Sequence, residues 1–225
     1  MLRTRQRVLL AAIVVLIAAL VPAVASAAGG TRVYYAVTSD NDTATKPDAT
    51  QGVYWINASG VGGRHRLSSK GASVNQPYGV ALDPVRGYVY WANYVGGQIS
   101  RANLDGTGGG VDLFATGTKT GPVGVAIDPA HSRIYWSDYT PPGSIQSGAL
   151  SGRGKPTTLT LTGAKANAPC DLTIDTASML LYWANCGVTG HGKTVTVSEL
   201  GSGKTTAVPL TGAFADEVNG IAVDS

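Results

Sequence analysis

Apolar residues in this chain come in short runs of about five or six positions, rich in Val, Ile, Leu, Tyr and Trp, and each run closes on Gly, Pro, Asn or Asp. Runs of that length between turn-forming residues predict strands. Past the first 27 residues no stretch keeps an apolar period of 3.6, so the pattern is all-β. The runs also recur. One marker reads PYGVALDP (77–84), PVGVAIDP (122–129), PCDLTIDT (169–176) and VNGIAVDS (218–225), which spaces Asp83, Asp128, Asp175 and Asp224 by 45, 47 and 49 residues. After a short turn the first three are followed by YVYWAN, RIYWSD and LLYWAN, carrying Trp91, Trp136 and Trp183. A third marker follows: QISRANLDGTGG, SIQSGALSGRG and, more loosely, KTVTVSELGSGK.

Tyr54-Trp55 looks like a first copy of the Tyr-Trp pair, but its spacing to Trp91 is 36 residues. GVYWINASGVGG aligns instead with QISRANLDGTGG, placing Val53 on Ile99, Asn57 on Asn103 and Gly60 on Gly106. Trp55 is then a decoy on a third strand, and the true counterpart of the Tyr-Trp strand is RVYYAV, with Tyr35 at the tryptophan position. The decoy is expected to pack under the insertion at 38–51.

Four short strands per repeat of 45–49 residues is the signature of a β-propeller blade. As a set, YWAN and YWSD with GVALDP upstream and ISRANLDG downstream resemble the YWTD repeats of the LDL-receptor class B type. The resemblance covers residues 28–225. It implies a propeller of six blades, whereas the strand count here fits four. Two arrangements follow: a closed four-blade ring in which 220–224 pairs with 33–37 to share one blade, or a six-blade propeller of which this sequence holds part.

The N-terminus changes how charge is read. MLRTRQR, then the apolar run VLLAAIVVLIAALV, Pro22 and Ala25-Ser26-Ala27 compose a signal peptide over 1–27, so a secreted, extracellular or cell-envelope location is expected. The chain has 17 Lys plus Arg and 14 Asp plus Glu, but Arg3, Arg5 and Arg7 belong to the leader, leaving 14 of each sign. A near-neutral domain without a basic stripe gives no support for nucleic-acid binding, and a cleaved leader leaves no membrane anchor.

Candidate chemistry is sparse. Trp and Tyr side by side on a strand point to opposite faces, so Tyr35, Trp91, Trp136 and Trp183 read as fillers between blades. Asp83, Asp128, Asp175 and Asp224 end an inner strand, where a carboxylate caps a turn by accepting backbone amides. Gly79, Gly124 and Gly220 share one inner-strand position, and the fourth copy is Asp171, which either takes a cation or polar ligand or accepts neighbouring backbone amides. If the 175–180 turn centres on Ser178, Cys170 faces Cys186, as Tyr78 faces Tyr94 and Val123 faces Tyr139, so a cross-strand disulfide is expected. The loops that gather at one end of such a fold make a candidate binding rim: Asn93, Tyr94, Asp138, Tyr139, Asp171 and Asn185, with 187–192 and the 38–51 insertion. GSGKTT (201–206) lacks the first glycine of a phosphate loop, and DNDTATKPDATQ (40–51) lacks the glycine and final glutamate of a calcium loop. No cofactor is expected, and calcium has no motif. The reading is a secreted module that binds an unidentified protein or cell-envelope ligand. The alternative implied by related propellers is a calcium-dependent lactonase-like or lyase-like enzyme with its site at the central channel.

Overall fold

A computed structural model describes residues 30–38, 51–117, 121–187, 194–208, 210 and 218–224. Residues 1–27, where a signal peptide is expected, and 39–50 of the insertion lie outside these residues, as does the loop 188–193. The described residues form four sheets. The first contains β1 (Arg32–Val37), β2 (Gly52–Asn57) and β3 (His65–Arg66), in that order. The second contains β4 (Pro77–Asp83), β5 (Tyr88–Asn93), β6 (Gln98–Asn103) and β7 (Gly110–Ala115). The third repeats this order with β8 (Pro122–Asp128), β9 (Arg133–Asp138), β10 (Ser144–Ala149) and β11 (Thr157–Thr158). The fourth has five strands: β13 (Pro169–Asp175), β14 (Leu180–Asn185), β15 (Thr194–Glu199), β16 (Lys204–Val208) and, parallel on its outer edge, β12 (Thr162–Gly163). That parallel strand has no signal in the repeat pattern.

The second strands of the second and third sheets are buried on both faces, which is why they carry aromatics at adjacent positions. Trp91, Trp136 and Trp183 are fully buried. Tyr90 packs with Trp136, Tyr135 with Trp183, and Tyr34 with Trp91, so the tyrosine face of one sheet meets the tryptophan face of the next. Truncating a buried Trp to Ala costs about 3–5 kcal/mol, and these three residues anchor three successive contacts.

Backbone approach sets the inner strands. A Cβ on Gly79 would sit 2.4 Å from the Val123 carbonyl oxygen and 2.9 Å from Gly124 Cα, and one on Gly124 would sit 2.9 Å from Asp171 Cα. Only glycine admits such contact. β4, β8 and β13 therefore lie side by side near the axis.

The decoy tryptophan falls where the alignment places it. β2 pairs with β1 through Tyr34↔Trp55 and Tyr35↔Tyr54, matching Tyr90↔Arg101 and Trp91↔Ser100 in the second sheet. Asn57 and Asn103 make the same bond, each donating Nδ2 to the carbonyl four residues on, at 2.9 and 3.1 Å. Gly60 and Gly106 share a left-handed φ of 74° and 79°. Trp55 is half-buried against the cluster that joins the first and second sheets, and side chains of its own sheet flank it: its ring stacks on His65 at 4.1 Å and carries the Arg32 guanidinium at 4.0 Å. The insertion expected to cover it lies outside the described residues.

Residues 218–224 form no strand, and among the described residues β1 pairs only with β2. The pairing of 220–224 with β1 expected from the strand count is not made here. The segment instead lies beside β13, where the Ile221 amide donates to Asp171 Oδ2 at 3.1 Å and the Val218 carbonyl oxygen is 3.3 Å from Cys170 Sγ and 3.1 Å from Cys186 Sγ.

Candidate functional site

The starts of β4, β8 and β13 and the ends of β5, β9 and β14 meet at one end of the sheets. All three inner strands open with an irregularity after the first residue, Pro77, Pro122 or Pro169. That shift breaks the ladder and turns the second residue toward the last residue of its hairpin. In the second sheet this pair is Tyr78 and Tyr94, in edge contact at 5.6 Å. In the fourth it is Cys170 and Cys186, joined as a disulfide with a Cα separation of 5.8 Å. The expected disulfide is present but the expected register is not: the ladder pairs Asp171 with Ala184 and Leu172 with Trp183, one residue off a turn centred on Ser178, and the irregularity after Pro169 is what brings Cys170 to Cys186. One position of the repeat holds either an aromatic pair or a covalent bond.

Tyr94 also meets Tyr139 of the third sheet edge-on at 6.4 Å. Tyr78, Tyr94 and Tyr139 thus form a row that crosses from one sheet to the next. Tyr78 is the most open of them, 46% exposed. It is absent from the residues the sequence nominates for the rim, although the register expected from the sequence already sets it opposite Tyr94.

Three nominated residues lie elsewhere than on an open surface. Asn93, Asp138 and Asn185 are buried. Asn93 Oδ1 accepts the Asn75 amide at 2.9 Å, and its Nδ2 donates to Ser100 Oγ at 2.9 Å. Asn185 repeats the arrangement, accepting the Asn167 amide at 2.9 Å and the Trp183 indole N–H at 3.1 Å, and donating to Thr194 and Thr196 hydroxyls at 3.0 Å. Asp138 Oδ2 accepts from Gln146 Nε2 at 2.5 Å. Asn93 and Asn185 tie the linker before an inner strand to the end of the second strand, whereas Asp138 is bonded to the third strand of its own sheet. The recurrence of Asn at one repeat position is the sequence signal for the linker role.

Asp171 stands where the sister strands have glycine. Oδ1 accepts the Leu172 amide at 2.9 Å and Oδ2 the Ile221 amide. Burial pushes its carboxyl above the usual range, and the two amides pull the other way without overcoming it. The neighbouring backbone is farther off here, since Gly220 has only Asp171 Oδ2, at 3.9 Å, within 4 Å of a built Cβ. A side chain fits where glycine is required elsewhere, and its carboxylate clamps 218–224 to the fourth sheet.

At the opposite end, the inner-strand aspartates act on their turns. Asp83 accepts the Arg86 amide at 3.0 Å and pairs with its guanidinium at 2.9 Å, while Arg86 Nη2 reaches the Pro129 carbonyl of the next sheet at 2.9 Å. Asp128 accepts the His131 amide and meets its Nδ1 at 2.7 Å. Asp175 accepts the Ala177 and Ser178 amides and pairs with the Ser178 hydroxyl, bonds that lower its carboxyl pKa. Asp224 makes no such contact among the described residues. A depression of about 300 Å³ opens at this end beside Tyr88, Arg101, Asn103 and Val111. Its guanidinium is committed, stacked 4.3 Å over Tyr88 and bonded to the Leu150 carbonyl. Among the described residues no three His, Cys, Asp or Glu side chains gather closely enough to hold a metal.

No protein-family profile matches the chain, and no curated protein matches it. Solved structures do. A chain of a nidogen/laminin complex aligns at 22% identity with a TM-score of 0.60, over 78% of this chain and 59% of that one. A gluconolactonase from Xanthomonas campestris aligns at 15% identity and 0.53, over 69% and 54%. A protein assigned as TolB from Agrobacterium tumefaciens aligns at 15% and 0.52, over 77% and 60%. The chain spans less than two thirds of each of these neighbours. With helix absent from the described residues and sheets stacked face to face about an axis, the likeness establishes the architecture: this chain has an all-β, β-propeller fold.

Proposed function

We propose that this chain is a secreted or cell-surface binding module, a divergent relative of the YWTD propellers, which engages a protein or cell-envelope ligand through the rim that carries Tyr78, Tyr94 and Tyr139. The row of three tyrosines across two sheets carries the reading. Tyrosine presents rigid, amphipathic contact area at low entropic cost and is enriched among the residues that dominate binding energy. The polar side chains around it, Asn93, Asp138 and Asn185, are occupied in holding the scaffold, which leaves the aromatic edges as the contact surface. A nidogen/laminin complex among the structural neighbours is compatible with this reading. The disulfide and the signal-peptide pattern of 1–27 support an oxidising, exported location.

The test compares retention of the chain on intact cells and cell-envelope fractions of its source with that of the Tyr78→Ala/Tyr94→Ala/Tyr139→Ala variant. Loss of retention with folding intact supports the rim. Equal retention by the variant overturns it. The lactonase-like alternative draws on the gluconolactonase neighbour and on the half-buried Asp171. A screen of lactone and ester hydrolysis with and without calcium addresses it: turnover that disappears in Asp171→Ala replaces the binding reading with an enzymatic one.

A further inference from the structure

The depression beside Tyr88 and Arg101 lies at the end of the sheets opposite the tyrosine row. The register of β5, β6 and β7 puts Tyr88, Tyr90, Arg101, Asn103 and Val111 on one face. Arg101 is half-buried there. Its guanidinium is fixed by the Tyr88 ring at 4.3 Å and by the Leu150 carbonyl oxygen, to which Nη1 donates at 3.1 Å. Neither contact neutralises it. Among the described residues the ion pairs are Asp83 with Arg86 and Asp128 with His131, and neither includes Arg101. No acidic side chain lines the depression. A guanidinium stays protonated, so its partial burial without a counter-ion costs free energy that a bound anion offsets.

The contact between the first and second sheets shows what is missing. There Arg32 stands 4.0 Å over Trp55, at the position that Tyr88 holds in the second sheet, since Arg32 pairs with Asn57 as Tyr88 pairs with Asn103. The Tyr34 hydroxyl donates to the Leu104 carbonyl oxygen at 2.8 Å, the counterpart of the bond from Arg101 to Leu150. One residue on, Asp105 supplies a negative charge. Its carboxyl pKa is lowered chiefly by the Thr107 amide and hydroxyl, and Arg32 adds to the effect. Alignment of LDGTGG with LSGRG sets Ser151 at the position of Asp105. The turn is kept, with the Arg153 amide donating to Ser151 Oγ at 3.3 Å as the Thr107 amide donates to Asp105 Oδ1 at 2.9 Å. The carboxylate is lost.

We propose that this depression binds a hydroxylated carboxylic acid, free or as a uronic residue of an acidic polysaccharide, whose carboxylate takes the Arg101 guanidinium and supplies the charge that Ser151 lacks. A carboxylate matches the planar fork of an arginine through two parallel hydrogen bonds. A single cation suits a monoanion better than a phosphate dianion. Asn103 and the backbone of Gly108 to Gly110 line the remainder, which offers polar partners to hydroxyl groups. The guanidinium covers the Tyr88 ring, so an apolar ligand finds little surface. The volume of about 300 Å³ is that of about ten waters, at the lower end of the range for ligand pockets and enough for one sugar acid.

The experiment titrates the full chain, exported so that its disulfide forms, with galacturonate, trigalacturonate, glucose and inorganic phosphate, followed by amide NMR. The uronates are expected to bind and to shift the signals of Gly108 to Gly110, with glucose and phosphate at least about 10-fold weaker, the scale of one hydrogen bond to a charged group. Arg101→Gln is expected to weaken galacturonate by about 10-fold or more on the same scale. Because Arg101 also bonds the third sheet, the decisive pair is at exposed Ser151. Ser151→Asp restores the internal carboxylate and is expected to weaken uronate binding by about 10-fold. Ser151→Asn, of the same shape without the charge, is expected to bind as the parent does. Tighter binding of the trimer assigns the acid to a polysaccharide and equal affinities assign it to a free acid; both support the site. No uronate binding at millimolar concentration, equal binding of glucose, tighter binding of phosphate, or equal affinities in Ser151→Asp and Ser151→Asn would each overturn the proposal.

Discussion

Replacing Cys170 and Cys186 together by alanine removes the one covalent link between the rim ends of β13 and β14. The cysteines are 16 residues apart. A closed loop of that size restricts the unfolded chain by about 3 kcal/mol in the chain-entropy account. For a chain near 200 residues the unfolding entropy is about 0.4 kcal/mol per degree, so the expected fall in melting temperature is about 7 °C. The sister sheet supplies a second arm. Cys170→Tyr/Cys186→Tyr recreates the edge contact of Tyr78 with Tyr94 and should recover about 0.5–1.5 kcal/mol relative to the alanine pair, the usual worth of an aromatic pair. Thermal unfolding followed by circular dichroism measures all three chains, with and without reductant. Reductant should bring the parent down to the alanine variant and leave the variants unchanged. Equal melting temperatures for parent and alanine variant, or two titratable thiols in the unreduced parent, would refute the reasoning.

Three further outcomes follow from the packing and the charges. Gly79→Ala places a Cβ 2.4 Å from the Val123 carbonyl oxygen and should cost about 1–3 kcal/mol as overpacking, whereas Gly220→Ala, with 3.9 Å of clearance, should change the urea midpoint little; equal costs would remove the close-approach argument. Trp91→Ala should cost about 3–5 kcal/mol and Trp55→Ala clearly less, because Trp55 is half-buried against Arg32 and His65; the reverse order would restore Trp55 as a true repeat position. Asp171 has a folded-state pKa above its unfolded value of 3.8 because of burial, so the folded state binds the proton more readily and the group's favourable contribution is lost as pH rises from below 3.8 through the raised value. Asp171→Asn removes this titration, so the stability of the parent relative to the variant should fall across that window in urea melts, and a difference that is flat or rises with pH would contradict the assignment.

The repeat pattern made the strand order readable because each strand type has its own chemistry: glycine where backbones touch, an aromatic pair where two faces are filled, and aspartate where a turn needs capping. The decoy Trp55 was separable from Trp91 for the same reason, since Asn57 and Gly60 carry the third-strand turn with them. Sequence spacing also put Cys170 opposite Cys186. It could not show which way a side chain at a strand end turns. Asn93 and Asn185 read as rim residues, yet each folds back onto a linker amide 18 residues earlier, and only the geometry of the linker makes that bond available. Tyr78 was underrated because its openness depends on the irregularity after Pro77, and the parallel strand β12 is two residues long and pairs with β16 by tertiary fit alone.

Those linker bonds bear on the order of folding. Asn75 to Asn93, Ser73 to the Trp91 indole, and Asn167 to Asn185 each close a loop of 18 residues, and the hairpins they brace are shorter still. Most of what defines one sheet is therefore settled within a single repeat before any neighbour is present, and the contacts between sheets reach only the next repeat along. A chain built this way has low contact order for a β protein and can begin folding at any of its repeats, with the remaining sheets added from that nucleus in either direction.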